Sequence, residues 1–181
     1  VSTNLKGVQQ ALNNIRISFV YNPKTSLSEV FLNGQNVEEE IRKMYVSERV
    51  SEVSALPDVR HALVRQQQEM GRKKGLVMDG RDIGTRVFPD AELKIFMTAD
   101  VLVRAQRRQE ELLARDQPVD LEDIIHNLTT RDHVDTTRAE SPLVQAPDAT
   151  LLDTSYMTIE EQVDWVMEQA DRRLSELHRT K

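Results

Sequence analysis

The 181-residue sequence contains no cysteine, which excludes disulfide scaffolds, thiol nucleophiles and cysteine-ligated zinc. Aromatic residues make up only 4% of the chain, and its four histidines do not have a metal-ligand spacing such as HExxH. No apolar run reaches the roughly 18–20 residues that a membrane-spanning helix needs. No signal peptide opens the chain either, so a cytoplasmic location is expected.

The chain also lacks an excess of positive charge, because its net charge is −6 and its pI is about 5.3. We therefore expect no general attraction to nucleic acid or to an anionic membrane. A site for an anion must instead be built from local groups of arginines. The length suits one domain with a sizeable core and an inserted lobe.

Hydrophobic patterning predicts an α/β chain. Alternating apolar residues from Ile15 to Tyr21 predict a half-buried strand, and Asn33-Gly34 is a strong hairpin signal, so we expect a small antiparallel sheet over 15–37. Helical spacing and Pro57 predict one helix that ends before the proline and another over 58–70. Strands are predicted over 76–79, 93–97 and 150–153. Further helices are predicted after Asp100, after Asp120 and at the capping box of Thr158 and Glu161.

Alternation of these strands and helices predicts a parallel sheet. The last helix should bury an apolar face made of Ile159, Val163, Val166, Ala170, Leu174 and Leu177.

The segment GLVMDGRDIGTRVFPDA over 75–91 contains the strongest functional signal. Its apolar run Leu76–Met78 predicts a strand buried on both faces, which delivers Arg81 and Asp82 to the carboxyl end of the sheet. Open α/β sheets bind ligands at that end. Gly80 and Gly84 permit a tight turn and a close approach of the backbone to a ligand.

DGRDIGTRVFPDA followed by LKIFMTA resembles the signature of bacterial cytidylate kinases, which transfer a phosphoryl group from ATP to CMP or dCMP. The resemblance runs from near residue 13 to the C-terminus. It implies a P-loop NTPase-like parallel sheet flanked by helices, with an inserted lobe over 13–48, core segments over 49–103 and 121–181, and a helical lid over 104–120. It also implies ATP with Mg²⁺ as the donor, a monomer, and no nucleic-acid or membrane partner.

The resemblance assigns the acceptor phosphate to Arg81 and Arg138, and the ribose hydroxyls to Arg131 and Asp135. Arginine suits phosphate because its planar guanidinium binds two oxygens at once. Arg131, Asp135 and Arg138 are spaced i, i+4 and i+7, which places them on one helix face. Without the upstream signature, that spacing would instead favour a salt-bridge ladder on a helix surface.

Asp82, Ser51 and Arg60 match the base-reading residues of the family. Cytosine has an amino donor at N4 and acceptors at N3 and O2, whereas uracil has an acceptor at position 4. A carboxylate therefore favours cytosine, and a guanidinium suits the N3/O2 side.

Arg104, Arg107 and Arg108 correspond to the lid, whose arginines would close over the transferring phosphates and stabilise their charge as catalytic groups. The alternative interpretation is an arginine-rich solvated helix.

The sequence does not contain GxxxxGK[ST], which forms the donor-phosphate loop of this kinase class. It does not contain GxGxxG either, which disfavours a Rossmann dehydrogenase. The chain begins at Val1, so we expect the fold to be incomplete at its N-terminus, without the donor loop and one further acceptor arginine. ATP binding is therefore assigned to no residue, and we expect the chain alone to be inactive. The alternatives are a catalytically incomplete pyrimidine-nucleotide-binding fragment, or a structural fragment that self-associates through an open sheet edge.

Overall fold

The computed structural model describes residues 5–54 and 56–179, and the side chains of Leu5 and Ser51 lie outside that description. The chain divides into two compact units, one up to Gly75 and the other from Leu76 onward. The first contains helices α1 (Leu5–Asn14), α2 (Met44–Ser54) and α3 (Pro57–Gly71), and strands β1 (Ile17–Asn22), β2 (Leu27–Leu32) and β3 (Gln35–Asn36). The second contains β4 (Ile95–Thr98), α4 (Val101–Leu113), α5 (Leu121–Thr137), β5 (Thr150–Asp153) and α6 (Ile159–Arg179).

The first unit contains the predicted antiparallel sheet, in the order β1-β2-β3. Leu32 pairs with Gln35 across the two-residue turn of Asn33 and Gly34, whose φ values are 51° and 84°. Positive φ at both positions is the geometry that makes Asn-Gly a hairpin signal, so this prediction is confirmed. The helix that stops before Pro57 and the helix that follows it are confirmed as well.

The prediction that β1 is half-buried is wrong at its far end, where Phe19 and Tyr21 are exposed. Strand β1 pairs with β2, and helix α1 packs against α3. Alternation in a sequence shows which residues share a face, whereas burial of that face requires another element to pack on it.

The second unit is an α/β arrangement built on the parallel pair β4-β5, in register from Ile95 opposite Thr150 to Thr98 opposite Asp153. Helices α4 and α5 pack together around Ala105, Leu112 and Ile124, which are almost fully buried. The parallel strands and the three helices match the predicted fold class.

Two apolar segments of this unit are less buried than the sequence predicts. Residues 76–79 form no strand, and Val77 is 99% exposed. A buried strand needs neighbouring strands and a cover on both faces, and in the described part of the unit the sheet has only β4 and β5.

The apolar face of α6 is also not buried as predicted, since Ile159, Val163 and Leu174 are exposed and Val166 and Ala170 are only half-buried. Leu177 is exposed too. No helix in the described ranges is long and apolar enough to cross a membrane.

Candidate functional site

Asp135 joins three of the predicted site arginines. Its Oδ1 accepts a hydrogen bond from Nη1 of Arg138 at 2.8 Å, and its Oδ2 lies 3.1 Å from Nε of Arg81 and 3.9 Å from Nε of Arg131. The side chains of Asp135 and Arg138 are 4% and 6% exposed, while that of Arg81 is 42% exposed. The structure therefore brings together the four residues assigned to the acceptor phosphate and ribose, and we call them the Asp135 cluster.

The local fold explains the arrangement of the cluster on α5. Arg131 and Asp135 lie one helical turn apart, as predicted. Arg138 is not on the helix face, because it is the C-terminal cap residue with an extended backbone at ψ 144°. From there its guanidinium folds back, so that Nε donates to the Ser141 carbonyl at 2.8 Å while Nη1 contacts Asp135.

Positive charge is concentrated in the Asp135 cluster. Burial of the guanidinium, and after it the nearby charge of Arg81, hold the pKa of Arg131 below its ordinary value, while Asp135 acts in the opposite direction. Three guanidiniums around one buried carboxylate favour an incoming anion, because its charge reduces their mutual repulsion. A phosphate group, which accepts hydrogen bonds from arginine at several oxygens, matches this chemistry.

Asp82 follows the cluster residue Arg81 in the sequence, and its side chain is buried. It precedes a π-helical turn over Ile83–Val87 and its carbonyl accepts from the amides of Arg86 and Val87. A Cβ at Gly80 would lie 2.9 Å from Ile83 Cγ1, so any other residue at this position would require the Ile83 side chain to shift.

The remaining base-reading candidates belong to the first unit. Arg60 is buried on α3, and its Nε and Nη2 donate to the Ser54 carbonyl at 3.1 and 2.9 Å. This guanidinium therefore satisfies the carbonyl of the last residue of α2. Ser51 lies within α2, but its side chain is outside the described part of the structure.

The three predicted lid arginines have different contacts. Arg104 pairs with Asp132 at 2.7 Å, and Arg108 pairs with Glu111 at 2.6 Å on its own helix. Arg107 is held by the loop after β5, where its Nη2 donates to the carbonyls of Thr154 and Met157 at 2.7 and 3.1 Å. In this conformation Arg107 connects α4 to that loop, and the roles of all three in a lid stay predictions.

Sequence reasoning did not assign Asp132 or Thr154. Asp132 neutralises Arg104 although 28 positions separate the two in the sequence, and no spacing rule covers that distance. Thr154 is buried beyond the end of β5 and its hydroxyl donates to the Thr98 carbonyl at 3.1 Å. The only signal for Thr154 was its place directly after a predicted strand.

The described residues, 5–54 and 56–179, contain no group of three or more His, Asp or Glu side chains that could hold a metal ion. Mg²⁺ in phosphoryl-transfer sites is usually held by one or two carboxylates together with waters and substrate phosphates. We therefore assign no residue and no catalytic step to the ion.

Comparison with known proteins identifies the family of the chain. The sequence model of the family described as cytidylate kinase matches residues 2–172. A cytidylate kinase of Cytophaga hutchinsonii is 64% identical over 176 residues, which cover 97% of this chain and 75% of the relative. The cytidylate kinases of Bacteroides fragilis and Flavobacterium johnsoniae are 56% and 50% identical, over 88% and 91% of this chain and 70% and 72% of theirs.

Proposed function

The chain belongs to the cytidylate kinase family, and we propose that it transfers the γ-phosphoryl group of ATP to CMP or dCMP, giving CDP or dCDP. The single observation that carries the acceptor assignment is the Asp135 cluster. It joins residues from two distant parts of the chain, Arg81 and the end of α5, around one buried carboxylate. The P-loop NTPase-like class of the fold follows from the family and agrees with the α/β arrangement of the second unit.

In this proposal Arg81 and Arg138 clamp the phosphate of the acceptor. Two guanidiniums directed toward one phosphate provide several charge-assisted hydrogen bonds, which are about twice as strong as neutral ones. Asp135 holds both guanidiniums before the substrate arrives. The two arginine side chains therefore lose conformational entropy on folding and not on binding. The acceptor oxygen is thereby oriented for attack, because phosphoryl transfer depends mainly on positioning and electrostatics.

Asp135 and Arg131 also bind the sugar. An ionised carboxylate has about four acceptor sites, so Asp135 can accept hydrogen bonds from ribose hydroxyls while it still holds Arg81 and Arg138. Arg131 remains one helical turn away to support it. Deoxyribose has one hydroxyl fewer, so CMP gains one more contact here than dCMP.

The proposal assigns the base to Asp82, Ser51 and Arg60. Asp82 accepts from the N4 amino group of cytosine and repels O4 of uracil electrostatically. A buried carboxylate is suited to this discrimination, because the penalty for an unpaired polar contact is largest away from water.

Arg104, Arg107 and Arg108 are proposed to act on the phosphates in transfer. Two of them are ion-paired in the present conformation, so closure over the substrates requires them to exchange carboxylates for phosphate oxygens. ATP with Mg²⁺ is the donor that the family implies, but no residue of the chain is assigned to bind it.

The experiment is calorimetric titration of the chain with CMP, UMP and cytidine, together with a coupled assay of ATP-dependent CMP phosphorylation. CMP should bind more tightly than UMP, because of the base, and more tightly than cytidine, because of the phosphate. Equal affinity for all three compounds would refute the acceptor site. CMP binding without phosphoryl transfer would limit the function of this chain to binding the acceptor.

A further inference from the structure

The segment that carries Arg81 and Asp82 is not held by a sheet. Residues 76–79 pair with no strand in the described part of the chain, and the π-helical turn over Ile83–Val87 follows at once. Such turns are rare and are frequently found at functional sites. Because the sheet does not position this segment, other contacts must do so.

Lys94 supplies such contacts from the position before β4. Its Nζ donates to both carboxylate oxygens of Asp148, at 2.9 and 2.8 Å, and to the carbonyl of Pro89. The hydrogen bond from Lys94 holds the pKa of the Asp148 carboxyl below its ordinary value. The Lys94 side chain is only 7% exposed, which is unusual for lysine and leaves its ammonium committed to these partners.

The stem of Lys94 also contacts the turn itself. A Cβ built at Gly84 would lie 3.4 Å from Lys94 Cδ, so the methylene groups pass directly over the glycine backbone. Lys94 thus touches the segment at two points: its stem lies on the π-helical turn, and its ammonium group bonds the carbonyl that follows the turn. Its own backbone is fixed in the sheet, because the Lys94 carbonyl accepts from the Thr150 amide at 3.0 Å.

We propose that Lys94 and Asp148 form a brace that positions the segment bearing Arg81 and Asp82 for binding of the acceptor nucleotide. This inference rests on the proposed function of those two residues. Both members of the brace lie at the amino ends of the parallel strands, and neither belongs to the acceptor site. Lys94 is therefore a positioning residue, which acts on the substrate through the backbone of residues 82–89.

The brace differs from an ordinary surface ion pair in its consequences. Arg72 and Glu69 form such a pair where α3 ends, at 3.0 Å, with both side chains more than half exposed. Pairs of that kind contribute little. Arg72→Met is therefore the matched control for Lys94→Met, since each variant replaces one cation of an ion pair by the same uncharged side chain.

The first readout is hydrogen exchange of the backbone amides of residues 80–91. Lys94→Met should raise their exchange rates relative to those of α5, whereas Arg72→Met should leave them unchanged. Asp148→Asn should have a smaller effect in the same direction, because the Pro89 contact survives. Unchanged exchange in Lys94→Met would overturn the brace, and this readout does not depend on nucleotide binding.

The second readout is affinity for CMP, UMP and cytidine. Loosening of this segment should weaken both the phosphate contact of Arg81 and the base contact of Asp82. CMP affinity should therefore fall about tenfold, which is less than the roughly hundredfold loss that a 1 Å misplacement can cause. The preferences for CMP over UMP and over cytidine should fall together, and Lys94→Arg should recover part of both. A lower thermal midpoint with both preferences intact would show a merely structural role and overturn the proposal. Failure of the unmodified chain to bind CMP would instead contradict the proposed function.

Discussion

Asp135→Asn provides the sharpest test of the Asp135 cluster. The substitution keeps the shape of the side chain and one acceptor oxygen, but it removes the negative charge that lies 2.8 Å from Arg138 and 3.1 Å from Arg81. Three guanidiniums then remain close together with the central carboxylate lost. We expect lower stability and a stronger response to added anions.

The magnitude follows from the burial of each pair. Removing one partner of a buried ion pair costs about 3–5 kcal/mol, and the pair with Arg138 is of this type because both side chains are almost fully buried. The pair with Arg81 adds at most about 1 kcal/mol, because that arginine is partly exposed. The hydrogen bond that asparagine retains offsets about 1 kcal/mol. The free energy of unfolding should therefore fall by about 2–5 kcal/mol.

The assay is urea unfolding of the chain, with and without inorganic phosphate. Asp132→Asn is the matched control, since Asp132 is on the same helix and pairs with Arg104 at 2.7 Å, but both side chains are one-third exposed. It should lose no more than about 1 kcal/mol. Phosphate should stabilise Asp135→Asn more than the unmodified chain, because the anion replaces the lost charge. Equal losses in the two variants, or no extra effect of phosphate, would refute the reasoning.

Three further predictions concern single side chains. Arg81→Ala should weaken CMP binding about 10- to 100-fold and leave cytidine binding unchanged, because the loss is that of a charged hydrogen bond; calorimetry showing equal losses would remove Arg81 from the phosphate contact. Asp82→Asn should reduce discrimination between CMP and UMP by roughly 1–3 kcal/mol, since an amide can donate to O4 of uracil. An unchanged CMP-to-UMP ratio would mean that Asp82 does not read the base. The lowered pKa of Asp148 implies a stabilising contribution that is present above the unfolded-state pKa of about 3.9 and is lost as the pH falls through the lower folded value. Acid unfolding should therefore depend on pH more weakly in Asp148→Asn, and identical acid profiles would contradict that linkage.

Local signals in the sequence predicted the elements well. Thr158 and Glu161 form the expected capping box, in which the Thr158 amide donates to Glu161 at 2.8 Å and the Glu161 amide donates to the Thr158 hydroxyl at 3.2 Å. Asp100 caps α4 by accepting from the Leu102 amide. Asp120 occupies the cap position of α5, but its side chain makes no capping hydrogen bond. Such signals succeed because both partners lie within a few residues of each other.

The candidate site was predictable only where a family signature marked it. The signature identified Arg81 and Asp82, and helical spacing placed Arg131 and Asp135 on one face. Neither revealed that Asp135 contacts Arg81 across 54 positions of the chain. Lys94 lies within the LKIFMTA part of the signature, but no role was assigned to it, because a lysine near the start of an apolar strand resembles any solvated strand end.

The sequence alone determined the order and type of most elements, the turn at Asn33-Gly34 and the residues that share each face. Tertiary structure decided which of those faces are buried. The run at 76–78 and the apolar stripe of α6 have the right composition for a core, yet Leu76, Val77 and four of the six apolar residues on α6 are exposed. It also decided that Lys94 reaches Asp148, which lies as far along the chain as Arg81 does from Asp135. The physical reason is that periodicity and capping depend on neighbours in sequence, whereas burial and ion pairing depend on which distant elements the fold places in contact.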